Sequence, residues 1–200
     1  MVNHMFKFQS VTDVSGDVWM QDPPLMRFLF RNARMGGLWL LVRLFVGFEF
    51  LEAGVHKFID PTWMDGSGEA ILGFWWQSVA TPEPPARPPI TFDWYRNFLQ
   101  LLIDTHTAPW FSQLIVYSEL AVGLGLILGA FVGIAAAGAL VMNVAFMLAG
   151  VNATNPVLIL FDFLLILAWK NAGYVGLDRY LLGFLGTPWK QVAAGPVRRA

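Results

Sequence analysis

The chain has 200 residues, of which 56% are hydrophobic and only 14% charged, with 14 acidic and 13 basic side chains and a formal net charge of -1. A soluble domain carries about 45–50% apolar and about 25% charged residues, so this composition predicts an integral membrane protein, and the near-neutral charge argues against nucleic acid, which needs a basic excess. Cys is absent, which excludes disulfides, thiolate catalysis and Cys-ligated zinc or iron–sulfur centres.

The first 22 residues are polar and mixed, with no short apolar run before a small-residue cleavage site, so no cleavable signal peptide is expected. Pro23-Pro24 opens a short segment in which Arg27, Arg31 and Arg34 recur at helical spacing beside Leu25, Phe28 and Leu29. That pattern predicts an amphipathic helix lying at the headgroups. Gly36 to Phe58 is dominated by Leu, Val, Phe and Gly, and at about 1.5 Å per residue such a run crosses a hydrocarbon core of about 30 Å. Ile59 to Pro109 follows as a long loop with Pro82, Pro84, Pro85, Pro88 and Pro89 at its centre, where no regular helix persists. Two half-apolar pieces flank the prolines, Glu69 to Val79 and Phe92 to Ile103, and their Trp, Tyr and Phe content suits short interfacial helices.

Three further apolar runs follow: Trp110 to Gly129, Ala130 to Val151, and Pro156 to Lys170 with Ala172 to Val175 completing the last. Their connections are short, which makes them sequential antiparallel neighbours. The predicted fold class is all-α, an integral membrane four-helix bundle with short interfacial helices and a long outer loop between helices one and two. Residues 1–35 form the N-terminal segment, 36–175 the four-span domain with 59–109 outside, and 176–200 the tail. Lys and Arg concentrate on the two terminal flanks, at Arg27, Arg31 and Arg34 and at Lys170, Arg179, Lys190, Arg198 and Arg199. Both termini are therefore expected on the cytoplasmic side of a multi-pass protein in the cell membrane.

Ionisable residues inside a span are costly and mark function or ion pairing. The first span carries Arg43, Glu49, Glu52, His56 and Lys57. At about 100° per residue, Arg43, Gly47, Gly54 and Lys57 share one face within about 80°, and Glu49, Glu52 and His56 share another within about 60°. On the first face, small residues admit a neighbouring helix and Arg43 snorkels or meets an anion; Lys57, at the outer mouth, is placed to hold a small anion with Arg96 from the loop. On the second, two carboxylates one turn apart cannot both be ionised cheaply. Glu52 and His56 at i, i+4 form a proton-accepting pair. A metal is the competing use of that stripe, but Glu-x-x-Glu-x-x-x-His occurs once, without the repeated Glu-x-x-His pairs of di-iron bundles; no metal or haem is predicted.

Later spans add Glu119, Asn143 and Asp162. Either acid could neutralise Arg43 across the bundle, Asn143 could bond between helices, and Glu119 could instead share a relay with Tyr117. Crowded Gly and Ala in spans two and three predict close packing, with little room for a large internal cofactor.

Arg43-x-x-x-Gly47, Ala53-Gly54-x-x-Lys57-Phe58 and Asp60-Pro61-x-Trp63 resemble the first-span signature of the DoxX/DoxD membrane proteins. The likeness continues through Glu119-x-x-x-Gly123-Leu124-x-Leu126, Met142-Asn143-x-x-Phe146-Met147, Asn155-Pro156 and Ala168-x-Lys170-x-Ala172-Gly173. The resemblance implies four transmembrane helices. The DoxD branch is similar to the membrane subunit of a thiosulfate:quinone oxidoreductase, with membrane quinone as electron acceptor and a small partner subunit. On that expectation Lys57, Arg96 and Arg43 hold the anion, and Glu49, Glu52, His56 and Glu119 handle protons, roles assigned from helix geometry rather than from the family. The alternative is a non-catalytic accessory subunit of a larger respiratory or photosynthetic membrane complex, its aromatic outer loop serving as a docking surface.

Overall fold

The computed structural model describes residues 10–12, 18–20 and 22–184. A small antiparallel hairpin, β1 (Ser10–Thr12) with β2 (Val18–Met20), precedes an otherwise helical chain: α1 (Pro24–Arg31), a 3-10 turn (Ala33–Met35), α2 (Gly36–Ile59), α3 (Pro61–Met64), α4 (Glu69–Val79), α5 (Asp93–Asp104), α6 (Ala108–Leu128), α7 (Val132–Leu148), α8 (Asn155–Leu167), α9 (Trp169–Ala172) and α10 (Asp178–Phe184). Helices α1, α3, α6 and α8 each have Pro in the first turn, where its missing N–H is an orphan in any case and its φ is already helical. Gly129 ends α6 at φ +67, and the Ala130 N–H returns to the Gly125 carbonyl at 2.8 Å, the left-handed glycine stop expected of a helix C-terminus.

Two cores result. Val46, Phe50, Leu126, Ala136, Leu158 and Leu165 join α2, α6, α7 and α8. Ile71, Trp75, Tyr95, Leu99 and Ile103 join α4 and α5 to the start of α6. The predicted interfacial helices thus exist at almost the expected bounds, but they also build a core of their own, because Trp75 and Tyr95 are aimed inward. The Tyr95 hydroxyl donates to the Ala145 carbonyl at 2.8 Å, tying α5 to α7, and burial pushes its phenol above the ordinary range.

Among the described residues, one helix, Ala108–Leu128, is long and apolar enough by itself to cross a membrane. At 24 residues α2 has the length, but it carries five ionisable side chains; α7 and α8 are apolar but shorter, at 17 and 13 residues. The fourth predicted span is also interrupted. Helix α8 stops at Leu167, and α9 and a turn carry the chain to α10, where Asp178 is fully buried. Beyond the predicted boundary at residue 176, the Leu177 and Asp178 N–H groups donate to the Leu128 and Gly129 carbonyls at 3.1 and 2.7 Å, which ties the start of α10 to the end of α6. Residues 185–200, the rest of the predicted tail, lie outside the described residues.

The tightest seam is between α2 and α6. A Cβ on Gly123 would lie 2.7 Å from the Leu51 nitrogen, and one on Gly47 would lie 2.9 Å from Ile127 Cγ1. Small residues here let two backbones approach. At Gly123 the obstacle is backbone, which no rotamer change relieves. We expect Gly123→Ala to destabilise the protein by about 1–3 kcal/mol, the usual cost of overpacking. Gly73→Ala, in α4 with open space around it, should stabilise by roughly 0.5–1 kcal/mol through helix propensity. Thermal unfolding in detergent followed by circular dichroism measures both.

Candidate functional site

The approach of α2 to α6 brings Lys57 against Glu119. The ammonium donates to both carboxylate oxygens, at 2.5 Å to Oε1 and 2.6 Å to Oε2, with side-chain exposures of 20% and 3% respectively. Two aromatic rings line the ammonium: its Nζ lies 5.3 Å from the Trp63 centroid and 5.7 Å from that of Phe146, within the range of cation–π attraction. Trp63 is presented by α3, which the Asp60 carboxylate caps by accepting from the Thr62 N–H at 3.0 Å and hydroxyl at 2.8 Å. The Trp63 carbonyl accepts from the Ser112 hydroxyl at 2.7 Å, which fixes α3 to α6. The pair is thus flanked by Trp63 from α3 and by Phe146 from α7. A partly exposed cation on a buried anion, with an aromatic lining, can hold a small anion at the ammonium edge or exchange a proton at the carboxylate.

The other predicted residues are distributed differently. Glu52 and His56 do approach one another, His56 Nε2 to Glu52 Oε1 at 3.8 Å, but with side chains 71% (His56) and 73% (Glu52) exposed they point out of the bundle. Glu49 is half-buried on the same flank. The acidic stripe therefore does not converge with Lys57 and Glu119. Tyr117 is exposed, and both Glu119 oxygens are taken by Lys57, so the relay expected between them is not formed. Arg96 closes the loop locally, donating to Asp93 Oδ1 at 2.8 Å and to the Ile90 carbonyl at 2.6 Å, which leaves its guanidinium engaged away from Lys57.

Arg43 requires the clearest correction. It neither snorkels nor pairs with Glu119 or Asp162: it is buried and donates to the Ala172 carbonyl at 2.8 Å and the Val175 carbonyl at 2.9 Å, while Asp162 Oδ2 accepts from the Asn143 amide at 2.7 Å. The acid that faces Arg43 electrostatically is Asp178. Sequence reasoning missed it, because Asp178 follows the last apolar run and reads as tail. Its carboxylate accepts from the Phe131 and Val132 N–H groups at 2.6 and 2.9 Å, capping α7 from 46 residues downstream. Gly129 and Gly176 make the space, since a Cβ on either would collide with the Arg43 guanidinium. A groove of about 1160 Å³ lies on this side, between α1 and α9, lined by Arg31, Lys170, Asn171 and Tyr174 among others; it shares no residue with the Lys57–Glu119 pair.

The arrangement of Arg43, Lys57, Glu119 and Asn143 falls within the segment matched by the DoxX family model, residues 38–151. The chain belongs to the DoxX family. It is accordingly a membrane protein, in keeping with the span-length apolar helix α6. No curated protein and no solved structure matches the chain. Within this DoxX chain the family segment contains the whole ion pair and its aromatic lining, whereas Asp178 and the Arg43 carbonyl acceptors lie beyond it. Among the described residues no group of three or more His, Asp or Glu side chains converges as a metal site would.

Removing one member of a buried pair strands the other. Lys57→Met should therefore destabilise by about 3–5 kcal/mol, while Lys57→Met with Glu119→Leu should recover most of that loss. Asp178→Ala should cost about 1–2 kcal/mol through the lost cap. Detergent unfolding midpoints of the four proteins, wild type included, check the order.

Proposed function

We propose that this DoxX protein is the membrane component of a quinone-linked oxidoreductase, built as a four-span bundle of α2, α6, α7 and α8 with both termini on the cytoplasmic side. The basic flanks Arg27, Arg31 and Arg34 and Lys170 and Arg179 support that orientation, and the packing of α2 and α7 on α6, with α8 on α7 and α2, supports four spans. The short α7 and α8 require the bilayer to thin or the interfacial residues to reach outward.

The observation that carries the reading is the Lys57–Glu119 pair, held deep between two helices under an aromatic roof. A pair in such a place costs several kcal/mol of desolvation per ion, so its retention points to work done by the charges. The substrate class we assign is a small sulfur anion such as thiosulfate, following the likeness to the DoxD branch. Two thiosulfate dianions joined by a new S–S bond give up two electrons; membrane quinone accepts those electrons and two protons. In this scheme the Lys57 ammonium attracts the dianion, Trp63 and Phe146 exclude water from it, and the Glu119 carboxylate passes protons towards the acceptor.

Purified protein supplied with thiosulfate and decyl-ubiquinone should bleach the quinone absorbance, and Glu119→Gln should slow this by about 10²–10⁴-fold, the usual share of general acid–base catalysis. Lys57→Arg should retain more activity than Lys57→Met. Absence of any quinone reduction above the Lys57→Met/Glu119→Leu variant would sink the enzymatic reading and leave a structural subunit.

A further inference from the structure

The outward face of α2 follows a second pattern. Leu38, Phe45, Glu52 and Ile59 recur every seven residues, and Leu41, Phe48 and Val55 fall between them, giving an unbroken 3-4-3-4-3-4 spacing along the whole helix. All seven are exposed, Leu41 at 66%, Phe48 at 59% and Ile59 at 68%. Any helix buried along one side exposes residues at this spacing; what marks this face is that six of the seven are large and apolar and the seventh is Glu52. Such a stripe is suited to the seam of a left-handed helix pair, the commonest crossing in membrane bundles.

Glu52 sits in that seam, with His56 one turn on along its edge and Glu49 half-buried on the same flank. Their depth follows from neighbouring contacts. Leu51 packs against Gly123, and Gly54 against Leu120, so Glu52 and His56 lie level with Val122 and Ser118, in the central turns of α6, the helix long enough to cross the membrane by itself. An exposed carboxylate and imidazole at that depth are too costly to face hydrocarbon; protein must cover them.

We infer that α2 pairs with α2 of a second copy of this chain through the Leu38–Ile59 seam, with the Glu52 and His56 side chains of the two copies forming one polar cluster at its centre. Three features select a second copy as occupant. Every copy inserts with the same orientation, so a two-fold axis along the membrane normal brings like depths together. The face carries both an acceptor and a donor, Glu52 and His56, about 6 Å apart along the axis. It is therefore complementary to itself, each carboxylate able to accept from the other copy's imidazole. A single polar residue within an apolar seam is also how such pairs fix register. Phe45, which already meets Phe161 edge-on at 5.7 Å, carries the contact towards α8. The dimer rests on the spanning of the bilayer by α2 proposed above, and not on the redox reaction.

The natural chain has no Cys, so single cysteines report directly. Leu41→Cys, Phe48→Cys and Val55→Cys, each in full-length protein in native membranes and co-expressed with two different tags, should give disulfide-linked dimers carrying both tags after copper-phenanthroline oxidation. Leu124→Cys on α6 and Leu160→Cys on α8, equally exposed, should give none. Adding Phe48→Arg to Val55→Cys should abolish the band while the helical circular dichroism is retained. As a measurement free of substitution, fluorescently tagged wild-type protein in nanodiscs should bleach in two steps. Single-step bleaching, seam and control bands of equal strength, no seam band at all, or a seam cysteine joined to a different protein would each overturn the pairing.

Discussion

Gly123 lies so close to the Leu51 backbone that a single added methyl group has nowhere to go, and this contact sets the rotation of α2 within the bundle. With Gly47 and Gly54 turned towards α6, helical geometry leaves Lys57 and Arg43 on the inner side and Glu52 and His56 on the outer. Inner charges must then find partners inside the chain, whereas Glu52 and His56 stand exposed on the outer face. One steric constraint thus divides the ionisable residues of α2 into two sets with different chemistry.

The inner cations are satisfied in different ways. Lys57 meets a carboxylate directly, and its compact ammonium fits between two aromatic rings. Arg43 spreads over the Ala172 and Val175 carbonyls, the planar fork of a guanidinium being suited to several acceptors. Asp178 completes that end by capping α7, so the stop of α6 at Gly129, the start of α7 and the turn after α9 are held by one cluster. The Arg43 cluster closes one end of the bundle with backbone carbonyls as its acceptors, whereas the Lys57–Glu119 pair sets an ammonium that is still 20% exposed beside Trp63 and Phe146. That difference is why the second, and not the first, carries the functional proposal.

Much of the helical layout is visible in the residues themselves. The apolar runs around Gly36 to Phe58 and Trp110 to Gly129 match α2 and α6 closely, and the Trp-rich and Tyr-rich pieces of the long loop match α4 and α5, because local periodicity and proline placement govern where a helix starts and stops. The division of α2 into two polar faces was also legible, since it follows from 100° per residue. Which face looked inward was not. Two carboxylates and a histidine resemble a buried site as readily as an exposed stripe, and only the steric demand at Gly123 decides between them. Arg43 illustrates the same limit: its acceptors are backbone carbonyls, and a carbonyl leaves no trace in side-chain identity.

By itself the sequence determines the membrane character, the course of α2, α4, α5 and α6 and the family, all of which rest on composition, local periodicity and short-range spacing. The tertiary structure alone decided that Lys57 belongs to Glu119, that Arg43 and Asp178 serve one cluster, that Asp162 belongs to Asn143, and that Glu52 and His56 face outward. Partners separated by 19 to 132 residues are chosen by how closely backbones can approach, and that is a property of packed helices rather than of any one segment.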